Sequence, residues 1–141
     1  MNIYADSSFF VAHYLQDRHS PEVARRMALK PGVWLTPFQA VELVHAIQQY
    51  VFRGTITSYE ADLVTEAFEQ DRAHGIWILT EQPKETFVTC ERLARRHVAR
   101  LGVRTLDSLH VAAALELQAD NFWTFDQRQA RLAEAEGLTT I

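Results

Sequence analysis

The sequence predicts an α/β/α sandwich, in which helices cover both faces of a central parallel sheet of four or five strands. Two observations predict this class. Short apolar segments alternate along the chain with longer helical patterns, which is the order that gives parallel pairing. The apolar segments are also continuous rather than alternating with polar residues, as expected of strands that are buried on both faces.

The predicted strands are residues 3–5, 32–36, 75–79, 122–125 and 138–141. Helices fill the intervals between them. Two helices begin with a capping box, at Thr36 to Gln39 and at Thr57 to Glu60, and the first of these also carries proline at its first helical position. Regular apolar spacing predicts further helices around residues 87–98, over residues 106–117 with Thr105 as the cap, and from Asp126 to near Gly137.

Length and composition indicate one globular domain, residues 1–141. The chain of 141 residues has no repeat, no low-complexity tract and no Pro/Gly-rich linker. Its 48% hydrophobic and 23% charged residues are typical of a soluble domain. Cys90 is the only cysteine, which excludes an internal disulfide framework and fits a reducing, cytoplasmic environment. We expect neither a signal peptide nor a membrane span.

Four acidic residues fall where a parallel sheet places its ligands, which is beyond the C-terminal ends of the strands. Asp6 ends the first strand and Asp126 ends the fourth. Glu42 lies near the start of the helix after the second strand, and Asp107 lies in the first turn of the helix at 106–117. The predicted fold therefore brings four acids from distant parts of the chain to one edge.

Each acid also has a structural explanation. Asp6 and Asp126 could cap helices, Asp107 could interact with a helix dipole, and Glu42 could simply face water. Four independent caps need not gather at one edge, so convergence favours a shared site. Two such charges ~4 Å apart repel by about 4 kcal/mol at an effective dielectric near 20. A hard cation such as Mg²⁺ or Mn²⁺ would supply the counter-charge and support phosphodiester hydrolysis.

Four stretches carry a resemblance that covers essentially the whole chain. They are YADSSFFVA, TPFQAVELVHAI with its glutamate, RTLDSLHVAAALELQAD and FWTFDQRQARLAEAEGL. In this order and spacing the sequence resembles the PIN-domain nucleases, and among them the small prokaryotic ribonuclease toxins of the VapC type. The resemblance supports a PIN-like fold for the predicted sandwich.

The resemblance implies specific roles. Asp6, Glu42, Asp107 and Asp126 match the acidic quartet of the family, which holds one or two Mg²⁺ or Mn²⁺ ions and cleaves RNA endonucleolytically with a metal-activated water. Asp6 and Asp107 would be the main ligands, and Glu42 or Asp126 could orient the nucleophile. The resemblance also implies an antitoxin protein as partner and favours a homodimer.

Several side chains are candidates for supporting roles. The hydroxyls of Ser7, Thr105 and Thr124 could donate hydrogen bonds to the acids and orient them. The net charge of −4 argues against a bulk nucleic-acid binder, so contact with RNA or with an acidic antitoxin segment is assigned to a local basic cluster. That cluster is Arg92, Arg95, Arg96, Arg100 and Arg104. A solvated helix face with local ion pairs would explain the same arginines.

Other residues have simpler interpretations. His110, one turn after Asp107, could approach the acids but is interpreted as a packed or partly exposed helix residue. The three tryptophans fall in predicted strands and are interpreted as core. Tyr50, Phe52 and Tyr59 give two helices more aromatic bulk than a lone surface pair needs. This bulk favours a homodimer interface or an antitoxin groove, although core burial would also explain it.

Other functions remain as alternatives. A phosphatase of the haloacid-dehalogenase type needs an aspartate two residues after the first, where this chain has Ser8. A phosphoacceptor receiver domain needs a lysine after a late strand, and the only lysines are Lys30 and Lys84. Both of these readings are disfavoured. A non-catalytic module with this fold, or a solitary RNA-processing nuclease without an antitoxin, remains open.

Overall fold

The structure, a computed structural model, describes residues 1–140. Its strands are β1 (Ile3–Ala5), β2 (Val33–Leu35), β3 (Ile78–Leu79), β4 (Asn121–Trp123) and β5 (Thr139–Thr140). Its α-helices are α1 (Ser7–Tyr14), α2 (Ser20–Met27), α3 (Pro37–Phe52), α4 (Ser58–Ala73), α5 (Thr86–Leu93), α6 (Ala99–Leu101), α7 (Thr105–Glu116) and α8 (Gln127–Ala135). A π-helical turn, Ala94–Val98, joins α5 to α6.

The strands form one parallel sheet in the order β3-β2-β1-β4-β5. The predicted sandwich is confirmed, with five strands within the described residues. In the register of the central pair, Tyr4 of β1 faces Phe122 of β4 and Ala5 faces Trp123. The predicted last strand is observed at 139–140, and its final predicted residue, Ile141, lies outside the described range.

Alternate residues of β1, β2 and β4 supply two separate cores, whereas both residues of β3 are exposed. Ile3 and Ala5 pack with residues of α1, α2, α3 and α4 on one face of the sheet. Tyr4 and Phe122 pack with residues of α5, α7 and α8 on the other. Burial on both faces explains why these three strands are apolar without interruption. Within residues 1–140, no helix combines the length and the apolar character needed to cross a membrane.

Both predicted capping boxes are observed. The hydroxyls of Thr36 and Thr57 accept from the backbone amides of Gln39 and Glu60, whose side chains reach back to the cap. The Gln39 amide also donates to the carbonyl of Ala5 at 2.5 Å. This buried side chain therefore ties the start of α3 to the end of β1.

Three details of the prediction are wrong. Helix α2 was not expected. Thr105 is not the cap of α7, because Arg104 occupies that position and Thr105 is the first helical residue. Trp77 was expected in the third strand but precedes β3, whose ladder with β2 is only two residues long. The indole of Trp77 donates to the hydroxyl of Tyr14 at 2.7 Å.

Candidate active site

The order in which strands are added to the sheet changes direction between β1 and β4. From β1 the chain continues to β2 on one side, and from β4 it continues to β5 on the other. Open parallel sheets bind ligands at such a switch point, beyond the C-terminal strand ends. Asp6 follows β1 directly, and its backbone amide donates to the carbonyl of Trp123, the last residue of β4, at 3.0 Å. Asp6 therefore lies at the centre of this edge.

Asp6 is held by three donors. Its side chain is 1% exposed and accepts from the hydroxyl of Ser8 at 2.5 Å and from that of Thr124 at 2.6 Å. The amide of Phe9 donates at 3.4 Å, so Asp6 also caps α1. Burial raises the pKa of the Asp6 carboxyl, although the charge of His110 and the two hydroxyl bonds favour its ionised form.

The serine beside Asp6 differs from the predicted one. Sequence reasoning named Ser7, but Ser8 makes the bond, and Ser7 instead shares a surface cleft with Glu42. Thr124 does lie behind Asp6 as proposed, and its oxygen accepts from the backbone amide of Asp126 at 2.9 Å. One threonine therefore links Asp6 to the segment that carries Asp126.

Glu42, on α3, is paired with His110 of α7. The Nε2 atom of His110 is hydrogen-bonded to a carboxylate oxygen of Glu42. Its Nδ1 atom lies 2.9 Å from the hydroxyl of Tyr4, and its ring stacks on Phe38. The two ring nitrogens of His110 therefore bridge the Tyr4 hydroxyl and the Glu42 carboxylate. Sequence reasoning missed this role, since spacing alone did not reveal which facing helix His110 meets.

Tyr4 is fully buried in the neighbourhood of Asp6 and Glu42. Burial raises the pKa of the Tyr4 phenol well above its usual value, and the charges of Asp6 and Glu42 raise it further. The phenol therefore stays protonated beside His110.

Asp107 and Asp126 are linked through Gln129 of α8. The Gln129 side-chain amide donates to Asp107 at 3.0 Å, while its backbone amide donates to Asp126, the cap of α8, at 2.9 Å. Burial raises the pKa of the Asp107 carboxyl, and the nearby charge of Asp126 raises it further. Gln129 is buried, and its Oε1 atom has no hydrogen-bond partner. No motif in the sequence indicated its role.

The four predicted acids are thus neighbours at one edge of the sheet. His110 contacts Glu42 and attracts both Asp6 and Asp107 electrostatically. Glu42 and Asp107 line a cleft of about 630 Å³, together with Thr105 and Arg104. The guanidinium of Arg104 lies 3.9 Å from an oxygen of Asp107. This cleft therefore gives solvent access to Glu42 and Asp107.

The acids do not form a ready-made ligand set. Within residues 1–140, no three His, Cys, Asp or Glu side chains stand close enough together to hold a metal ion. Each carboxylate instead bonds to its own donor: a hydroxyl, an imidazole or an amide. The chemistry of the donors still fits a hard divalent cation, because all four are carboxylates.

Three of the five predicted arginines gather around Glu136, whereas Arg95 and Arg104 have other partners. Arg92 and Arg96 pair with Glu136 at 2.9 and 3.5 Å. Arg100 joins this group through His97, whose Nδ1 lies 3.1 Å from the Arg100 guanidinium and whose Nε2 lies 2.8 Å from Glu136. Glu136 follows the end of α8 just before β5, at the edge of the sheet opposite the acids. Arg95 pairs with Glu91 at 3.6 Å on the exposed helix surface. Only Arg104, of the five predicted arginines, is placed beside an acid of the site.

Residues 3–135 match the PIN domain family. Comparison with solved structures gives three similar folds. FitAcB from Neisseria gonorrhoeae has a TM-score of 0.73 and 15% identity, covering 99% of this chain and 96% of that one. VapC20 of Mycobacterium tuberculosis, described as a sarcin-ricin loop cleaving toxin, has a TM-score of 0.69 and 18% identity, covering 97% and 96%.

The third is VapBC2 from Rickettsia felis, bound to a DNA fragment from its promoter, with a TM-score of 0.69 and 11% identity, covering 100% and 98%. Identities this low establish the fold alone. A comparison with curated protein sequences gave no significant match.

Proposed function

Because this chain belongs to the PIN domain family, we propose that it is a metal-dependent endoribonuclease that hydrolyses RNA phosphodiester bonds. The observation that carries the proposal is the placement of Asp6, Glu42, Asp107 and Asp126 around one edge, at the switch point of the sheet. A helix cap would explain Asp6 or Asp126 alone. It does not explain why Glu42 and Asp107 line one cleft.

The same four carboxylates would hold one or two Mg²⁺ or Mn²⁺ ions, with Asp6 and Asp107 as the main ligands. Burial raises the pKa of both carboxyls, so each is a group whose ionised form is stabilised by an added positive charge. When bound, such an ion activates water and stabilises the charge of the phosphoryl oxygens.

The surrounding residues prepare the acids for this role. Ser8 and Thr124 fix both oxygens of Asp6, so its orientation is determined before substrate arrives. His110 orients Glu42, which can accept a proton from the attacking water. Arg104, at the mouth of the cleft, can contact a phosphate and offset part of the negative potential there.

We also propose that the enzyme is the toxin of a toxin–antitoxin pair. Support comes from the similar folds, which include a toxin and the VapBC2 assembly. The antitoxin is the proposed protein partner, and a homodimer is the proposed assembly. A solitary RNA-processing nuclease would use the same site and would lack the antitoxin.

The test is cleavage of a mixed RNA pool by purified protein with Mg²⁺, with Mn²⁺ and with EDTA. Wild type should cleave only with a metal, and Asp6→Asn should be inactive. Asp62→Asn, which alters an exposed aspartate on α4, is the matched control and should cleave like wild type. Equal cleavage by wild type and Asp6→Asn, or cleavage in EDTA, would contradict the proposal. Binding of RNA without any cleavage would favour the non-catalytic alternative.

A further inference from the structure

A pair of stacked rings adjoins the acids. The imidazole of His19 lies parallel to the ring of Phe125, with centroids 4.0 Å apart and planes 2° apart. Phe125 stands between Thr124, whose hydroxyl bonds Asp6, and Asp126. Both rings are partly exposed. The chain therefore presents a flat, partly exposed aromatic stack, in which Phe125 is the sequence neighbour of both Thr124 and Asp126.

His19 comes from the segment between α1 and α2, where no apolar pattern requires an aromatic ring. It precedes α2, yet its side chain makes no capping hydrogen bond. The Nε atom of Arg18 donates to Nε2 of His19 at 3.2 Å. The stack therefore lies beside an exposed guanidinium.

Charge also favours a ligand on this side. The four acids repel a polyanion, so RNA can approach them only if cations hold its backbone nearby. Arg104 supplies such a charge next to Asp107. On the side of Phe125, the exposed Arg18 lies against His19. The guanidinium carbon of Arg26 lies 5.9 Å from the centre of the Phe125 ring, but the charge of Arg26 is already paired with Glu22 at 2.8 Å, so Arg18 is the cation assigned to the ligand. Positive charge therefore flanks the acids on two sides.

We propose that the His19–Phe125 pair is a stacking subsite for one unpaired nucleobase of the RNA, and that Arg18 contacts the adjoining phosphate. This rests on the proposed function. Aromatic faces bind unpaired bases with little sequence preference, because every base has a π-face. In a duplex the base faces are covered by their neighbours, so the subsite selects single-stranded RNA.

The experiment measures fluorescence anisotropy of a short labelled single-stranded RNA, with every variant made in Asp6→Asn so that the RNA stays intact. His19→Ala should weaken binding about 5- to 100-fold, the range that stacking of one base supplies. His19→Phe restores an aromatic face and should restore most of the affinity. His74→Ala removes an exposed histidine just after α4 and should bind like the parent.

Duplex RNA tests whether the loss of affinity is specific to single strands, because His19→Ala and the parent should bind the duplex equally. Thermal melting checks that each variant is folded, and Phe125 is left intact because it packs against the core. If His19→Ala binds single strands like the parent, or His19→Phe rescues nothing, the subsite is overturned while the nuclease proposal stands. If the parent binds no RNA and wild type cleaves none, both are overturned.

Discussion

His110 of α7 joins Glu42 of α3 to Tyr4 of β1. Its Nε2 bonds the Glu42 carboxylate, and its Nδ1 lies 2.9 Å from the Tyr4 hydroxyl. Tyr4 lies in the central strand and its ring is stacked on Phe122. A carboxylate near solvent is therefore positioned through an imidazole by a phenol in the core.

We expect His110→Ala to lower the cleavage rate about 10- to 100-fold at saturating metal, the usual effect of losing a residue that orients a ligand. Tyr4→Phe keeps the stacked ring, so its effect on rate should be smaller and its cost in stability about 1 kcal/mol. Initial rates and urea unfolding of both variants measure these effects. Full activity in a folded His110→Ala protein would show that the imidazole only fills space.

Replacing the acids should not weaken the metal-free fold. Burial raises the pKa of the Asp6 and Asp107 carboxyls, and the charge of Asp126 adds to this at Asp107. Ionising these groups therefore costs folding free energy at neutral pH. Asp6→Asn and Asp107→Asn should leave stability in EDTA unchanged or raise it by up to about 1 kcal/mol, measured by urea unfolding. Marked destabilisation of both would mean that capping and packing are their main tasks.

Glu136 should make the free energy of unfolding depend on pH in the acid range. Burial alone would raise the pKa of its carboxyl, but bonds from His97 and Arg92 and the charge of Arg96 outweigh it and lower the pKa. A carboxyl with a lowered folded pKa contributes stability above its unfolded pKa, about 4.3, and that contribution is lost as pH falls through the folded value. Glu136→Gln should therefore lose about 1–3 kcal/mol at pH near 7 and little at the acid end.

The control for Glu136 is Glu91→Gln. Glu91 pairs with Arg95 on an exposed surface, where both side chains are more than two-thirds open to solvent. Exposed pairs contribute little, so this variant should follow the wild-type curve of unfolding free energy against pH. If Glu136→Gln has the same unfolding free energy as wild type at every pH, Glu136 does not stabilise the fold as proposed.

A homodimer remains a prediction, and the exposed aromatic residues of α3 and α4 locate its test. Phe52 is 91% and Tyr59 71% exposed, whereas Tyr50 packs against the core. Phe52→Asp should convert a dimer to a monomer in light scattering after size exclusion. Phe87→Asp, which alters an exposed phenylalanine on α5, should not. Monomeric wild type at micromolar concentration would contradict the dimer.

Much of the architecture follows from local signals. The capping boxes at Thr36 and Thr57 and the burial of β1, β2 and β4 on both faces depend on short segments of sequence, so prediction and structure agree there. The predicted burial of the third strand is wrong, because both residues of β3 are exposed. Helix α2 was missed because only Val23 of its eight residues is buried, which leaves a weak apolar pattern. Its proline at the start and Glu22 in the first turn were signals that could have indicated it.

The site was less predictable for a different reason. Strand ends placed the four acids, but their partners depend on which helices face one another. Nothing local distinguishes Ser8 from Ser7, and only the packing of α7 against the start of α3 brings His110 to Glu42. The partner of Asp107, Gln129, lies 22 positions further along the chain.

The bond between Thr124 and Asp6 spans 118 positions of the chain. Asp6 is therefore synthesised 118 residues before Thr124, and Asp126 and Gln129 follow later still. The central strand β1 must wait for β4 as well, because that ladder is its partner on one side. Until these later residues have been made, the acids of a nascent chain have no common edge on which to meet. The order of synthesis itself delays the appearance of the assembled site.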